Sequence, residues 1–129
     1  MIVDTSAVVA ILRKEAEGPD FFDRVADTER PAMSAVALVE AAMVIEGRGG
    51  REAGADLDNF LAEAAVEIVA VNADTARIAR EAWRVWGKGN HPARLNLGDC
   101  FSYALARERG EPLLSKGEDF ARTDVLRAL

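Results

Sequence analysis

Four acidic residues stand where their neighbours give them little structural reason to be. Asp4 ends the apolar run Met1-Ile2-Val3, and Glu40 is an isolated acid inside Leu38-Val39-Glu40-Ala41-Ala42-Met43-Val44. Asp99 follows Asn96-Leu97-Gly98, and Asp119 comes a few residues after Leu113-Leu114-Ser115. Carboxylates brought close together repel, and some stay protonated. A divalent cation removes that conflict. Hard oxygen donors without clustered histidine or cysteine favour Mg²⁺ or Mn²⁺ over zinc. Such an ion keeps part of its water shell and accepts phosphate oxygens. The chemistry that this set equips is phosphodiester hydrolysis, with an activated water as nucleophile and a cation to offset the charge developing at phosphorus.

Each acid also has a plainer reading. Asp99 suits a helix N-terminus through the helix dipole. Asp119 suits the start of a turn or short helix. Glu40 suits the exposed face of a helix. Asp4 is the hardest to explain in this way, because an acid at the end of a buried strand costs stability unless something compensates it. Beside it, Thr5 and Ser6 are candidate supporting residues: Ser6 either caps the following helix or bonds an acid or a bound water. Asp124 is a fifth acid that could hold a water at the edge of the site.

For the four acids to meet, the elements that carry them must end on one side of the molecule. Met1–Thr5 reads as a buried strand, followed by a helix capped by Ser6 and running from Ala7 to Lys14. Pro19 opens a helix to Ala26. Pro31–Ser34 is a second strand. An apolar helix then runs to Glu46, Gly47-Arg48-Gly49-Gly50 ends it, and a polar helix covers Arg51–Ala64. Val66–Val71 is a third strand, rich in β-branched residues. Asn72 or Asp74 caps a helix to Gly87. Lys88–Leu95 is a loop, Asn96 starts a helix that ends at Gly110, Pro112–Ser115 is a fourth strand, and a helical turn follows from Glu118. Asp124–Leu129 is a candidate edge strand. Strands alternating with helices predict an α/β fold, a four- to five-stranded parallel sheet covered on both faces. Ligand sites in such sheets lie beyond the carboxyl ends of the strands, which is where Asp4 and Asp119 fall.

Size and composition agree with one domain over residues 1–129, half of whose residues are hydrophobic. No apolar run reaches the roughly 20 residues of a membrane span. No basic segment leads into an apolar stretch at the N-terminus, and the single cysteine, Cys100, has no partner for an internal disulfide. A cytoplasmic location is the expectation. The net charge of −6 argues against a nucleic-acid partner unless the acids are gathered around a cation.

Arg77, Arg80, Arg84 and Lys88 are spaced to form one basic stripe on a helix, either an RNA-backbone track or a solvated face. Lys116, Arg48 and Arg51 are further phosphate candidates on loops. Trp83 and Trp86 read as core or interface residues, His91 as a surface residue and Cys100 as a small core residue.

The strings Met1-Ile2-Val3-Asp4-Thr5-Ser6, Asn96-Leu97-Gly98-Asp99-Cys100-Phe101-Ser102-Tyr103-Ala104 and Leu113-Leu114-Ser115-Lys116-Gly117-Glu118-Asp119-Phe120, with Thr123-Asp124 beyond, occur in this order. Together they resemble PIN-domain ribonuclease toxins of the VapC type, from type II toxin–antitoxin systems. The resemblance implies an α/β/α sandwich, Mg²⁺- or Mn²⁺-dependent endoribonuclease activity, pairing with a small antitoxin, and a homodimer. It implies Asp4 and Asp99 as main metal ligands, with Glu40 and Asp119 completing the acidic pocket. Exposed hydrophobics of the first helices, among them Leu12, Phe21 and Phe22, would offer the antitoxin a groove.

Two other readings remain open. One is a phosphatase with Asp4 as nucleophile; such sites usually carry a second acid two residues on, where this chain has Ser6. The other is a non-catalytic module that binds RNA or protein, which has no need to bear the repulsion of four acids.

Overall fold

The computed structural model describes residues 1–129. The elements are β1 (Ile2–Val3), α1 (Thr5–Leu12), α2 (Gly18–Ala26), β2 (Ala32–Ser34), α3 (Ala35–Glu63), β3 (Glu67–Val69), α4 (Ala73–Trp86), α5 (Leu97–Arg109) and β4 (Leu113–Leu114), with a 3₁₀ turn at Phe120–Arg122. The four strands form one parallel sheet in the order β3-β2-β1-β4. Ile2 is in register with Ala32 and Leu113, and Val3 with Leu114.

Side chains alternate across a strand, and here the alternation sorts residues between two cores. Ile2, Ala32 and Leu113 face α4 and α5, packing with Ala79, Ala82, Cys100 and Leu105. Val3, Met33 and Leu114 face the other way, against Val8, Phe21 and Leu57 of α1, α2 and α3. Both faces are covered, so the fold is an α/β/α sandwich. The central strands carry no polar residue until they end, as strands buried on both faces should.

Four local details differ from expectation. α1 begins at Thr5, and its cap is Asp4 rather than Ser6: Asp4 Oδ2 accepts the Ser6 N–H at 3.0 Å. The strands are shorter than their sequence patterns. The glycine-rich stretch does not form a loop; α3 stays helical through Gly49 and breaks only at Gly50, with φ 66° and ψ −166°. One residue outside helical space is enough to kink a helix, whereas the other glycines cost only about 1 kcal/mol each when kept helical. The C-terminal segment is not a fifth strand; it makes a single parallel bridge between Leu113 and Arg127, lying along the outer edge of β4.

Candidate active site

Asp4 leaves β1 at the carboxyl edge of the sheet, its N–H held by the Leu114 carbonyl at 2.9 Å. Its carboxylate is buried, and both of its oxygens accept hydrogen bonds. Ser102 Oγ donates to Oδ1 at 2.6 Å, and Ser6 donates twice to Oδ2, from Oγ at 2.6 Å and from N–H at 3.0 Å. The Ser6 hydroxyl in turn accepts the Lys116 N–H at 2.9 Å, which ties α1 to the segment after β4. Three donated hydrogen bonds offset the cost of burying this acid.

Asp99 approaches from the first turn of α5. Asn96 Oδ1 accepts the Asp99 N–H at 2.9 Å, and the Asn96 N–H donates to Asp99 Oδ2 at 3.1 Å. This is a reciprocal cap, so the plain structural reading of Asp99 holds. It uses only one carboxylate oxygen. Burial is the main cause that raises the Asp99 carboxyl to about 7, with the charges of Asp4, Glu40 and Asp119 adding to it. A capping acid in water has no such neighbours, so Asp99 is also a member of an acidic cluster.

Glu40 projects from α3, which starts directly after β2. Burial, then the charge of Asp4, raise its carboxyl, against the lowering effect of the Thr5 hydroxyl. Thr5 Oγ1 donates to the Ala37 carbonyl at 2.9 Å, joining α1 to α3. The Glu40 carboxylate lies against the Cα of Gly98: a Cβ there would be 2.4 Å from Oε2 and 2.5 Å from Oε1. The Gly in Asn96-Leu97-Gly98-Asp99 therefore makes room for the acid of a different helix.

The structure thus brings Asp4, Glu40 and Asp99 together. Asp119 stands exposed at the rim, at the start of the 3₁₀ turn and without a capping bond; its charge is the weakest contribution at Asp99.

Other candidates are placed elsewhere. Asp124 accepts the Tyr103 hydroxyl at 2.6 Å and pairs with Arg107 at 3.4 Å, so it belongs to a surface network further along α5. The Lys116 ammonium is paired with Glu15 and with Glu17, the latter at 3.3 Å, because the loop after α1 brings two acids to it; only its backbone supports the site. The basic stripe of α4 divides. Arg77 pairs with Asp74, and Arg84 with Glu81 at 3.2 Å, while Arg80 and Lys88 have no acidic partner. Arg48 and Arg51 lie on α3. Trp83 is not a core residue but is 49% exposed, whereas Trp86 packs edge-on against His91 at 4.9 Å. His91 Nδ1 accepts the Ala93 N–H at 3.0 Å and takes no part in the acidic site. Cys100 is buried, its thiol pushed up to about 11. Phe21 is buried and Leu12 half-buried, leaving Phe22 as the exposed member of that trio.

Two serines were not singled out from sequence. Ser102, which holds Asp4, is three residues after Asp99, the spacing that puts two side chains on one helix face. Ser115 directly follows β4, one residue beyond the Val3–Leu114 pair, and its buried hydroxyl has no hydrogen-bond partner.

A hard cation fits this donor set. The oxygens are all carboxylate or hydroxyl, Asp99 is raised by burial and then by like charges, and the orphaned Ser115 hydroxyl directly follows the strand that pairs with β1. No three acidic, histidine or cysteine side chains close around a common point. The fit is therefore with an ion that takes one or two carboxylates and keeps its waters, as Mg²⁺ does, and not with a closed cage.

The PIN-domain family profile matches residues 1–126. The chain belongs to the PIN-domain family. This PIN domain is 50% identical over 125 residues to a VapC ribonuclease of Mycobacterium bovis, covering 97% of this chain and 95% of that one. It is 52% identical over 125 residues to ribonuclease VapC of Mycolicibacterium smegmatis, covering 97% of each. Its fold matches that of Mycobacterium tuberculosis VapC20, a toxin described as cleaving the sarcin–ricin loop, with a TM-score of 0.80 at 21% identity, over 98% of this chain and 97% of that one. It also matches VapBC2 of Rickettsia felis bound to a promoter DNA fragment, with a TM-score of 0.75 at 17% identity, over 98% and 94% of the two chains. No helix of this PIN domain is long and apolar enough to cross a membrane.

Proposed function

We propose that this PIN domain, one unit over residues 1–129, is the toxin of a type II toxin–antitoxin pair and acts in the cytoplasm as a Mg²⁺- or Mn²⁺-dependent endoribonuclease. The observation that carries the reading is the meeting of Asp4, Glu40 and Asp99 at one edge of the sheet, with Asp119 at the rim, in a chain half identical to VapC ribonucleases over nearly its whole length.

When bound, the cation supplies Lewis acidity toward a phosphodiester and activates water. Asp4 and Asp99 would hold it. Asp4 is fixed by its three donors, and its Oδ1 accepts only one of them. Asp99 keeps Oδ1 free while Oδ2 serves the cap. Glu40 and Asp119 complete the acidic pocket. Glu40, with its carboxyl raised, is suited to accept a proton from an attacking water at Oε. Arg80 and Lys88, the unpaired members of the stripe, serve the RNA backbone. The phosphatase reading is disfavoured by Ser6 standing where a second acid would be.

The partner is a small antitoxin. The apolar groove between the two arms of α3, lined by Leu38, Val39, Met43 and Leu57, is its proposed seat, since Val39 is 59% and Met43 71% exposed. A homodimer is also proposed. Purified protein incubated with total RNA should cut it in Mg²⁺ or Mn²⁺ and stop in excess EDTA. Cleavage undiminished by EDTA would sink the metal-dependent reading.

A further inference from the structure

Between α4 and the start of α5 runs a groove of about 420 Å³. Its floor is apolar, from Ala79, Leu95 and Cys100. Its walls carry Trp83 and Leu97, which are 49% and 74% exposed. Its polar lining includes two cations, Arg80 and Lys88, neither of them neutralised by an acid.

The position of this groove is as telling as its lining. Asn96 and Leu97 belong both to it and to the first turn of α5, and Asp99 stands two residues further on. The groove and the acidic pocket therefore share the first turn of α5. The groove is also built in advance. The Trp83 ring rests on Gly87: a Cβ at Gly87 would lie 2.4 Å from Trp83 Cδ1. Backbone bonds from Lys88 N–H to the Leu95 carbonyl and from Leu95 N–H to the Trp86 carbonyl, both 3.0 Å, hold the loop closed. Asn90 Nδ2 donates to the Trp83 carbonyl at 3.1 Å and tightens the same corner.

We infer that this groove is a nucleotide subsite for single-stranded RNA next to the scissile phosphate, where a base stacks on Trp83 beside Leu97 and the flanking phosphate is held by Arg80 and Lys88. The inference rests on the ribonuclease reading of the acidic site. Charge complementarity decides for RNA: in a chain of net charge −6, two unpaired cations beside an exposed indole match a π-face linked to a phosphate. An apolar partner would leave both cations without counter-charge at the contact. Trp83 becomes a binding residue, one that holds the base beside the site.

The test uses the full chain in EDTA, where turnover stops, titrated with a fluorescein-labelled single-stranded RNA of about ten random nucleotides and read by anisotropy. Trp83→Ala should weaken binding about 10-fold, and Trp83→Phe should recover most of the loss. Arg80→Gln and Lys88→Gln should each lower the slope of log affinity against log salt by about 1. With Mg²⁺ and total RNA, Trp83→Ala should raise KM with little change in kcat. Absence of RNA binding by the wild type, or binding by Trp83→Ala within about twofold of it, overturns the subsite. A change in sedimentation coefficient for Trp83→Ala with RNA affinity unaltered also overturns it, and assigns the groove to a second copy of the chain. Failure of the ribonuclease reading looks different: the wild type would bind RNA through Trp83 and never cleave it.

Discussion

The two halves of the acidic site treat a buried carboxylate in opposite ways. At the end of β1, Asp4 is surrounded by donors from Ser6 and Ser102, and the charge is matched by hydrogen bonds already present in the folded chain. At the start of α5, Asp99 is buried among other acids and raised to about 7, and Glu40 presses against Gly98 with its carboxyl also raised. The first half is a finished structural joint. The second half carries a cost of burial and repulsion that protonation or a cation relieves. If the two acids hold a cation as proposed, Asp4 would fix where it sits and Asp99 would make its binding favourable.

Neutral variants test that division most sharply. Asp4→Asn and Asp99→Asn should each reduce RNA cleavage by at least about 100-fold in a gel or fluorogenic assay. Their stabilities should part company. Asp4→Asn places an amide where hydroxyls now donate and should cost roughly 1–3 kcal/mol in urea unfolding. Asp99→Asn keeps an oxygen for the Asn96 N–H and removes a repelled charge, so it should be at least as stable as wild type at pH 8. Equal destabilisation by both would break the comparison.

The next effect is a pH dependence of the metal-free protein. The folded-state pKa of Asp99 lies above its unfolded value, so the folded chain binds the extra proton. The associated stability is fully present below about pH 4 and is lost as pH rises to about 7, an effect on the order of 4 kcal/mol. Glu17 and Glu67, whose carboxyls are lowered, act in the opposite sense, and only at more acid pH. In EDTA, Tm should therefore fall between pH 5 and pH 8, and Asp99→Asn should flatten the fall. Adding Mg²⁺ at pH 8 should restore Tm in the wild type and not in the variant. A Tm independent of pH across this window would remove the repulsion from the account.

Gly98→Ala probes the contact inside the second half, between α5 and α3. Its Cβ would meet the Glu40 carboxylate at 2.4 Å, so either α5 or Glu40 must shift. A loss of about 1–3 kcal/mol is expected, with a further drop in cleavage that Gly98→Ser does not relieve. The smallest effect is expected at Ser102→Ala, about 1 kcal/mol, because Asp4 keeps both bonds from Ser6. A collapse of activity in Ser102→Ala without loss of fold would show that Ser102 does more than brace Asp4.

Some of this was visible in the residues alone. The alternation that sends Ile2 and Val3 to opposite cores is local, as are the Asn96–Asp99 cap and the stop at Gly110. Asp4 was marked by an acid ending an apolar strand, and its sheet-edge position followed from the alternation of strands and helices. Local chemistry does not say what lies across a face. Ser102 looks like an ordinary polar residue until α5 brings it to Asp4. Lys116 looked free until the loop after α1 delivered Glu15 and Glu17 to it. Arg80 and Arg84 looked equivalent until each side chain's neighbours separated them, and Trp83 and Trp86 both read as core or interface until the packing left Trp83 half exposed. Periodicity and turn chemistry set the direction of a side chain within its own element. Which element it meets there is a long-range matter, settled by how the two helical layers pack on the sheet.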